Sequence, residues 1–356
     1  MTALIGYVLI AILIFGVLVF VHELGHFLTA KAMGVKVNEF SVCMGPAIWQ
    51  KTVGETTYSL RCIPIGGYCA MEGEDEKSDD PRSFLSAPAW KRLLILIAGS
   101  FFNLLIGVVL LAMVYSAAKG FVSPQIDGFF AGSTVAEETG LRAGDTLWRI
   151  DGRRVYQYSD VSLLLSRTDS STHDLVVKRD GKLVTLEESP LHLRELELDG
   201  EKVLKYGLTF RAKEMTFGSV LSNTVNTAAD FARIIWMSLA DLVKGRAKVD
   251  DMSGPVGIVS AIAETGQASE TKADAALIIS YFAAFLAVNL AVMNLLPIPA
   301  LDGGRAFLLL VTATIEAVTR KKVDPKYEAY IHAAGMLLLL AFIAFITVKD
   351  VLRLIG

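Results

Sequence analysis

Residues 3–26 read ALIGYVLIAILIFGVLVFVHELGH. No charged side chain occurs from Ala3 to Val21, and the run ends on three ionisable residues, His22, Glu23 and His26. About 20 apolar residues of helix span a bilayer. The stretch therefore predicts a membrane span that carries polar chemistry at one end, where ionisable groups are costly and mark function. No Lys or Arg precedes Lys31 and no small-residue cleavage site follows the run, so a retained span is expected rather than a signal peptide.

Three more uncharged runs share this character: Leu93–Ala118, Ala275–Leu301 and Ala329–Val348, the last interrupted only by His332. The composition agrees. Of 356 residues, 53% are hydrophobic and 20% charged, with a mean hydropathy of +0.48 and a net charge of −3. That balance excludes a disordered chain and a nucleic-acid partner, and it implies a lipid bilayer instead. Cys43, Cys62 and Cys69 are odd in number, which argues against a disulfide scaffold.

Short-loop charge sets the expected orientation. Segment 24–92 holds eight Lys and Arg and segment 302–328 holds five, so both belong in the cytoplasm. Both termini and the segment from Lys119 to Asp274 then lie outside. Spans one and three run in the same direction, which brings the neighbourhoods of His22 and Asp302 to one membrane face. The expected organisation is a membrane core in two halves (1–118 and 275–356), a soluble insert (120–212) and a connecting segment (213–274). In that connection, apolar residues from Val220 to Leu242 recur at helical spacing, and Ser253–Ala263 is too short to span. These predict amphipathic helices and a re-entrant or interfacial piece.

The insert alternates short apolar runs with turns at Asp151-Gly152, Asp180-Gly181 and Asp199-Gly200. Within it, Gly140-Leu141-x-x-Gly144-Asp145 leads to Ile150-Asp151-Gly152, which resembles a bacterial PDZ domain. That resemblance implies peptide binding by strand addition to a sheet edge.

On a helix, residues i and i+4 share a face about 6 Å apart along the axis. His22 and His26 so placed can both bind one Zn²⁺, and Glu23 beside them can take a proton from water. A third protein ligand is needed. The metzincin extension is missing after His26. Glu39 is close in sequence. Asp302 is the stronger candidate, in Asn294-Leu-Leu-Pro297-Ile-Pro299-Ala-Leu-Asp302-Gly-Gly304, where two prolines break span three and free backbone groups. An Asp there could also cap the next helix.

Taken in order, HELGH, the NLLPIPALDGG run, the insert between spans two and three, and the SGPVGI segment resemble the bacterial site-2 proteases of the regulator-of-sigma-E protease type, in a single-PDZ form. The resemblance covers nearly the whole chain. It implies an α-helical polytopic membrane protein of four transmembrane helices, with a membrane-associated β-hairpin at about 50–71 and an inserted extracytoplasmic α+β PDZ domain. It implies a zinc metalloendopeptidase of the bacterial plasma membrane with one Zn²⁺ per chain, held by His22, His26 and Asp302, and with Glu23 as the catalytic base. Asn294, Pro297, Gly67 and Asn103 are implied as substrate-binding, and Gly99 as part of a motif near the site. Implied substrates are single-pass membrane proteins: pre-cleaved anti-sigma factors and remnant signal peptides. The competing readings are a non-proteolytic zinc-retaining scaffold and a zinc transporter. The scaffold leaves Glu23 without a purpose, and the transporter would need polar residues along several spans.

Overall fold

The computed structural model describes residues 2–74, 78–167, 170–198, 201–246, 255–267, 269, 271–321, 323–324 and 326–355. The chain divides into two compact units, residues Met1–Leu111 with Phe231–Gly356, and residues Ala112–Asp230.

In the first unit, four helices are long and apolar enough to cross a membrane: α1 (Thr2–Met33), α2 (Ala89–Ala117), α7 (Lys272–Asn294) and α9 (Lys326–Ile355). From Ala3 to Val21, helix α1 carries no charged residue. Leu9 and Leu13 face outward while Leu18 and Ala11 are buried, a distribution expected of a span rather than of a surface helix. Helix α7 begins at a side-chain cap, the Thr271 hydroxyl accepting from the Asp274 N–H at 3.1 Å. It stops at Asn294 because Pro297 and Pro299 cannot continue the hydrogen-bond ladder. Residues 295–301 turn, and a further helix, α8 (Asp302–Thr319), starts at once. Loop charge treats segment 302–328 as a short connection, with a helix only suggested by a possible cap at Asp302. The structure makes most of it helix, because Gly303 and Gly304 let α8 pack onto the turn. A Cβ on Gly304 would fall 2.2 Å from the Ile298 carbonyl oxygen.

Ser253 and Gly254 lie outside the described residues, as does 247–252. The rest of that apolar segment forms α6 (Pro255–Gln267), which packs on α1, α7 and α9. Its Ile262 is fully buried in a cluster with Ala11, Leu18, Leu286 and Ala287. Its first turn is capped by Asp350 of α9, whose Oδ2 accepts from the Gly257 N–H at 3.0 Å.

Between α1 and α2 lie two long antiparallel strands, β1 (Val37–Val53) and β2 (Thr56–Met71), joined at Gly54-Glu55. They pair twice. Val53↔Thr56 through Trp49↔Leu60 form the hairpin at the turn, while residues 39–42 pair with 57–60 on one side and with 67–70 on the other. The outcome is a four-segment sheet in the order 67–71, 37–42, 57–60, 49–53, with 67–71 at one edge. The expected hairpin at about 50–71 thus recruits residues back to Val37. Positive φ at Cys43, Gly45 and Gly66 supplies the reversals. Phe40 and Tyr58 pack on Phe20 and Phe27 of α1, whereas Met44, Ile48, Trp49 and Ile63 are exposed.

The second unit is built on a sheet ordered β10-β3-β4-β6-β7: β3 (Gly120–Phe129), β4 (Thr146–Ile150), β6 (His173–Arg179), β7 (Lys182–Ser189) and β10 (Leu208–Glu214). Short β5 (Arg153–Arg154) pairs with β4, and β8 (Arg194–Leu198) with β9 (Glu201–Lys205) forms a separate hairpin. Two short helices, α3 (Val135–Thr139) and α4 (Ser159–Leu165), complete it. Ile126, Val135, Leu141, Leu147, Ile150, Leu175 and Val177 fill the core. Both residues of Asp151-Gly152 and of Asp180-Gly181 have positive φ, the conformation of primed hairpin turns. The Asp199-Gly200 turn lies outside the described residues. Asp145 is buried against Arg179 at 2.6 Å and accepts the Arg142 N–H, fixing the turn before β4. One helix, α5 (Phe217–Val243), follows β10. Its polar Asn223, Thr224 and Thr227 are buried while Phe217, Leu221 and Val225 are exposed, the reverse of a water-facing helix.

Candidate active site

His22 and His26 project from one face of α1 with ring centroids 4.8 Å apart. Helix α2 passes against them because two glycines remove the side chains that would intervene. A Cβ on Gly25 would lie 2.7 Å from the Ala98 carbonyl oxygen, and one on Gly99 would lie 2.4 Å from His26 Nε2. His26 Nδ1 lies 2.8 Å from the Ile95 carbonyl oxygen and donates to it, which leaves the lone pair on Nε2.

Asp302 arrives from the first turn of α8. The N-cap of α8 is Leu301 and no side-chain cap is formed, so the Asp302 carboxylate is not spent on capping. Its Oδ2 lies 2.9 Å from His22 Nε2 and 3.2 Å from His26 Nε2, and the two Nε2 atoms are 3.2 Å apart. Tetrahedral Zn²⁺ with bonds of ~2.0–2.1 Å places its ligand atoms ~3.3 Å apart, close to the sides of this triangle. Oδ2 is buried without a well-directed hydrogen bond. Three lone pairs facing one point are mutually repulsive until a cation sits among them, so the residues fit a metal ion.

A cavity of about 300 Å³ opens on this triangle. Its polar lining is His22, Glu23, Asn103, Asn294 and Asp302, and Gly67 of the sheet edge contributes backbone. The Gly67 strand lies directly on Glu23, since a Cβ there would sit 3.4 Å from Glu23 Cγ and 2.9 Å from the Ser41 carbonyl oxygen. Asn103 is fully buried and its Nδ2 lies 3.3 Å from His22 Nδ1. Pro297 is not among the residues lining the cavity; it forms the break that turns the chain toward Asp302. Glu39, the alternative third ligand, accepts from Ser59 and from Arg61 at 2.7 Å and is occupied within the sheet. Cys69 is buried and its thiol is pushed up by that burial.

One functional candidate was left unassigned by sequence reasoning. His332 of α9 accepts at Nδ1 from the Ala300 N–H at 3.1 Å and lines a second cavity, of about 450 Å³, that reaches Asp302. Its signal was present: it is the only ionisable residue in the fourth apolar run. His173, by contrast, pairs with Asp151 at 2.7 Å and fastens a turn in the second unit.

Residues 10–342 match the description Peptidase family M50. A candidate zinc metalloprotease of Clostridium acetobutylicum is 36% identical over 346 residues, covering 97% of each chain. One of Fusobacterium nucleatum is 36% identical over 358 residues, covering 97% of this chain and 98% of its own. The regulator of sigma-W protease RasP of Bacillus subtilis is 27% identical over 428 residues, covering 96% of this chain and 97% of its own. The chain belongs to peptidase family M50 and is a zinc-type metalloprotease.

Proposed function

We propose that the protein is an intramembrane zinc protease that hydrolyses a peptide bond within or next to the transmembrane helix of single-pass membrane proteins. The observation that carries this reading is the convergence of His22 Nε2 and His26 Nε2, on a helix long and apolar enough to span a bilayer, with Asp302 Oδ2 from the start of α8, and with Glu23 beside them. One Zn²⁺ per chain would be held by these three residues. Bound there, zinc supplies a Lewis acid that polarises a carbonyl and acidifies water.

The remaining steps belong to the chain. Glu23 accepts a proton from the attacking water as its oxygen adds to the scissile carbonyl carbon. It then delivers that proton to the amide nitrogen as the C–N bond breaks, and the second water proton follows to the amine, leaving a new carboxylate and a new ammonium group. A helix in lipid keeps its carbonyls in its own hydrogen bonds, so cleavage requires local unwinding. The edge segment 67–71 can take up the freed backbone as an added strand, with Gly67 admitting it close to Glu23. Asn294, in the lining of the same cavity, can hold a second part of the unwound segment, and the Pro297 break turns the chain that carries it.

The second unit reads as a PDZ domain outside the membrane, binding peptide at a sheet edge and selecting substrates already cut on that side. The excess of Lys and Arg in segments 24–92 and 302–328 supports an active site toward the cytoplasm with both termini outside. A relative that carries the name of a sigma-W regulator supports an anti-sigma factor as substrate, and remnant signal peptides fit the same chemistry.

The deciding experiment is cleavage of a truncated single-pass substrate in liposomes by the wild type and by Glu23→Gln, with zinc measured on both. Cleavage inside the span by the wild type alone, with zinc retained in the variant, is the expected result. Zinc in both and cleavage by neither, over several substrates, would overturn it.

A further inference from the structure

Ile95, Gly99 and Asn103 are spaced i, i+4, i+8 along α2 and form the stripe that meets His22 and His26. Ile95 fixes His26: its carbonyl oxygen takes the Nδ1–H and commits the ring to the tautomer with a free Nε2. His22 presents the same atom, Nε2, to the triangle. A neutral imidazole carries one proton, so a His22 that binds metal through Nε2 must carry it on Nδ1. The only side-chain atom hydrogen-bonded to Nδ1 among the described residues is on Asn103, which faces it with an amide NH₂ at 3.3 Å. Donor against donor is untenable. The two ends of a carboxamide have the same shape, and the end facing a neighbour is settled by hydrogen bonding. In the orientation described, Asn103 Oδ1 is buried and bonded to nothing, so turning the amide gives up no bond but the one to His22.

We infer that Asn103 is the positioning residue of His22: when the metal is bound its carboxamide turns to present Oδ1, accepts the His22 Nδ1–H, and holds the Nε2 lone pair on the metal. This rests on the metal-site reading above and deepens it. Asn103 thus acts on the ligand, and its place in the cavity wall follows from that role.

The test uses the full-length protein in detergent, with zinc affinity measured by chelator competition between pH 6 and pH 8. Three forms are compared: wild type, Asn103→Asp, which keeps an acceptor, and Asn103→Leu, which keeps the volume without one. Loss of a group that orients a metal-bound histidine costs about 10–100-fold in metal affinity. Asn103→Leu is expected to fall by that factor and Asn103→Asp to stay near wild type. Affinity of the leucine variant equal to wild type overturns the inference, as does equal loss in both variants. Should the leucine variant fail to fold, histidine ¹⁵N–¹H spectra of zinc-loaded wild type and Asn103→Asp decide. A His22 Nδ1–H proton is expected, moved downfield by the charged acceptor, and its absence or indifference to the substitution overturns the assignment. A wild type that binds no zinc would overturn the metal-site reading itself, and this inference with it.

Discussion

His332 Nδ1 accepts the backbone N–H of Ala300 at 3.1 Å, two residues before Asp302. Ala300 has φ +83°, a left-handed conformation that a residue with a side chain adopts at a cost of about 1–3 kcal/mol. The bond from α9 helps keep the backbone there. A single buried hydrogen bond is worth about 1 kcal/mol, with more lost when its partner is left unsatisfied. His332→Leu is therefore expected to weaken zinc binding and cleavage roughly tenfold, since 1.4 kcal/mol is a factor of ten. His332→Asn, which can offer an amide oxygen to Ala300, is expected to recover part of it. Zinc titration of both variants checks this.

Gly99→Ala separates local stability from the site. Alanine favours a helix over glycine by about 1 kcal/mol, so α2 itself should not suffer. The added methyl would sit 2.4 Å from His26 Nε2 and 2.6 Å from His22 Cε1. The expected outcome is normal helical content by circular dichroism with zinc stoichiometry near zero.

Gly67→Val is expected to do the opposite. Its Cβ would meet the Ser41 carbonyl oxygen at 2.9 Å and crowd Glu23, but it does not touch the imidazoles. Zinc content should remain at the wild-type level while substrate cleavage falls by at least tenfold. Parallel zinc assay and cleavage kinetics on one preparation test it.

The second unit carries an acid-sensitive fastening. Arg194 and Thr134 both donate to Glu138 and hold its carboxyl down at about 2. A carboxylate with a depressed folded-state pKa stabilises above its unfolded value, 4.5, and that contribution is lost as pH falls toward about 2. Glu138→Gln should therefore flatten the decline of melting temperature between pH 4.5 and pH 2, a change read by thermal unfolding across that range.

Much of this architecture is written locally. A charge-free run of Leu, Ile and Val needs no partner to be a long helix, and HELGH needs only helical spacing to bring two imidazoles together. Asp302 could be placed near them because span direction follows from loop charge, and the structure puts its carboxylate within 3.2 Å of both Nε2 atoms. What escaped was set by long-range packing. The start of α8 was legible only as a possible helix cap at Asp302, and the contact of Gly303 and Gly304 with residues 295–298 shows why the helix begins there. The second register of β1 pairs Val42 with Gly67, a closure that no alternation pattern near Gly54 reveals. His332 went unassigned and Asn103 was expected only as substrate-binding, because their partners, Ala300 and His22, lie far away in sequence.

The metal triangle draws two members from the first helix and one from the start of α8, on opposite sides of the entire β-rich insert. During synthesis, a chain that has not yet emerged past residue 302 lacks the third donor and has only a pair of histidines. On the reading of these residues as zinc ligands, splitting them between the two ends defers hydrolytic competence until the start of α8 has been made. The entropic cost of closing so long a separation rises only logarithmically, so this built-in delay comes at little expense to the finished fold.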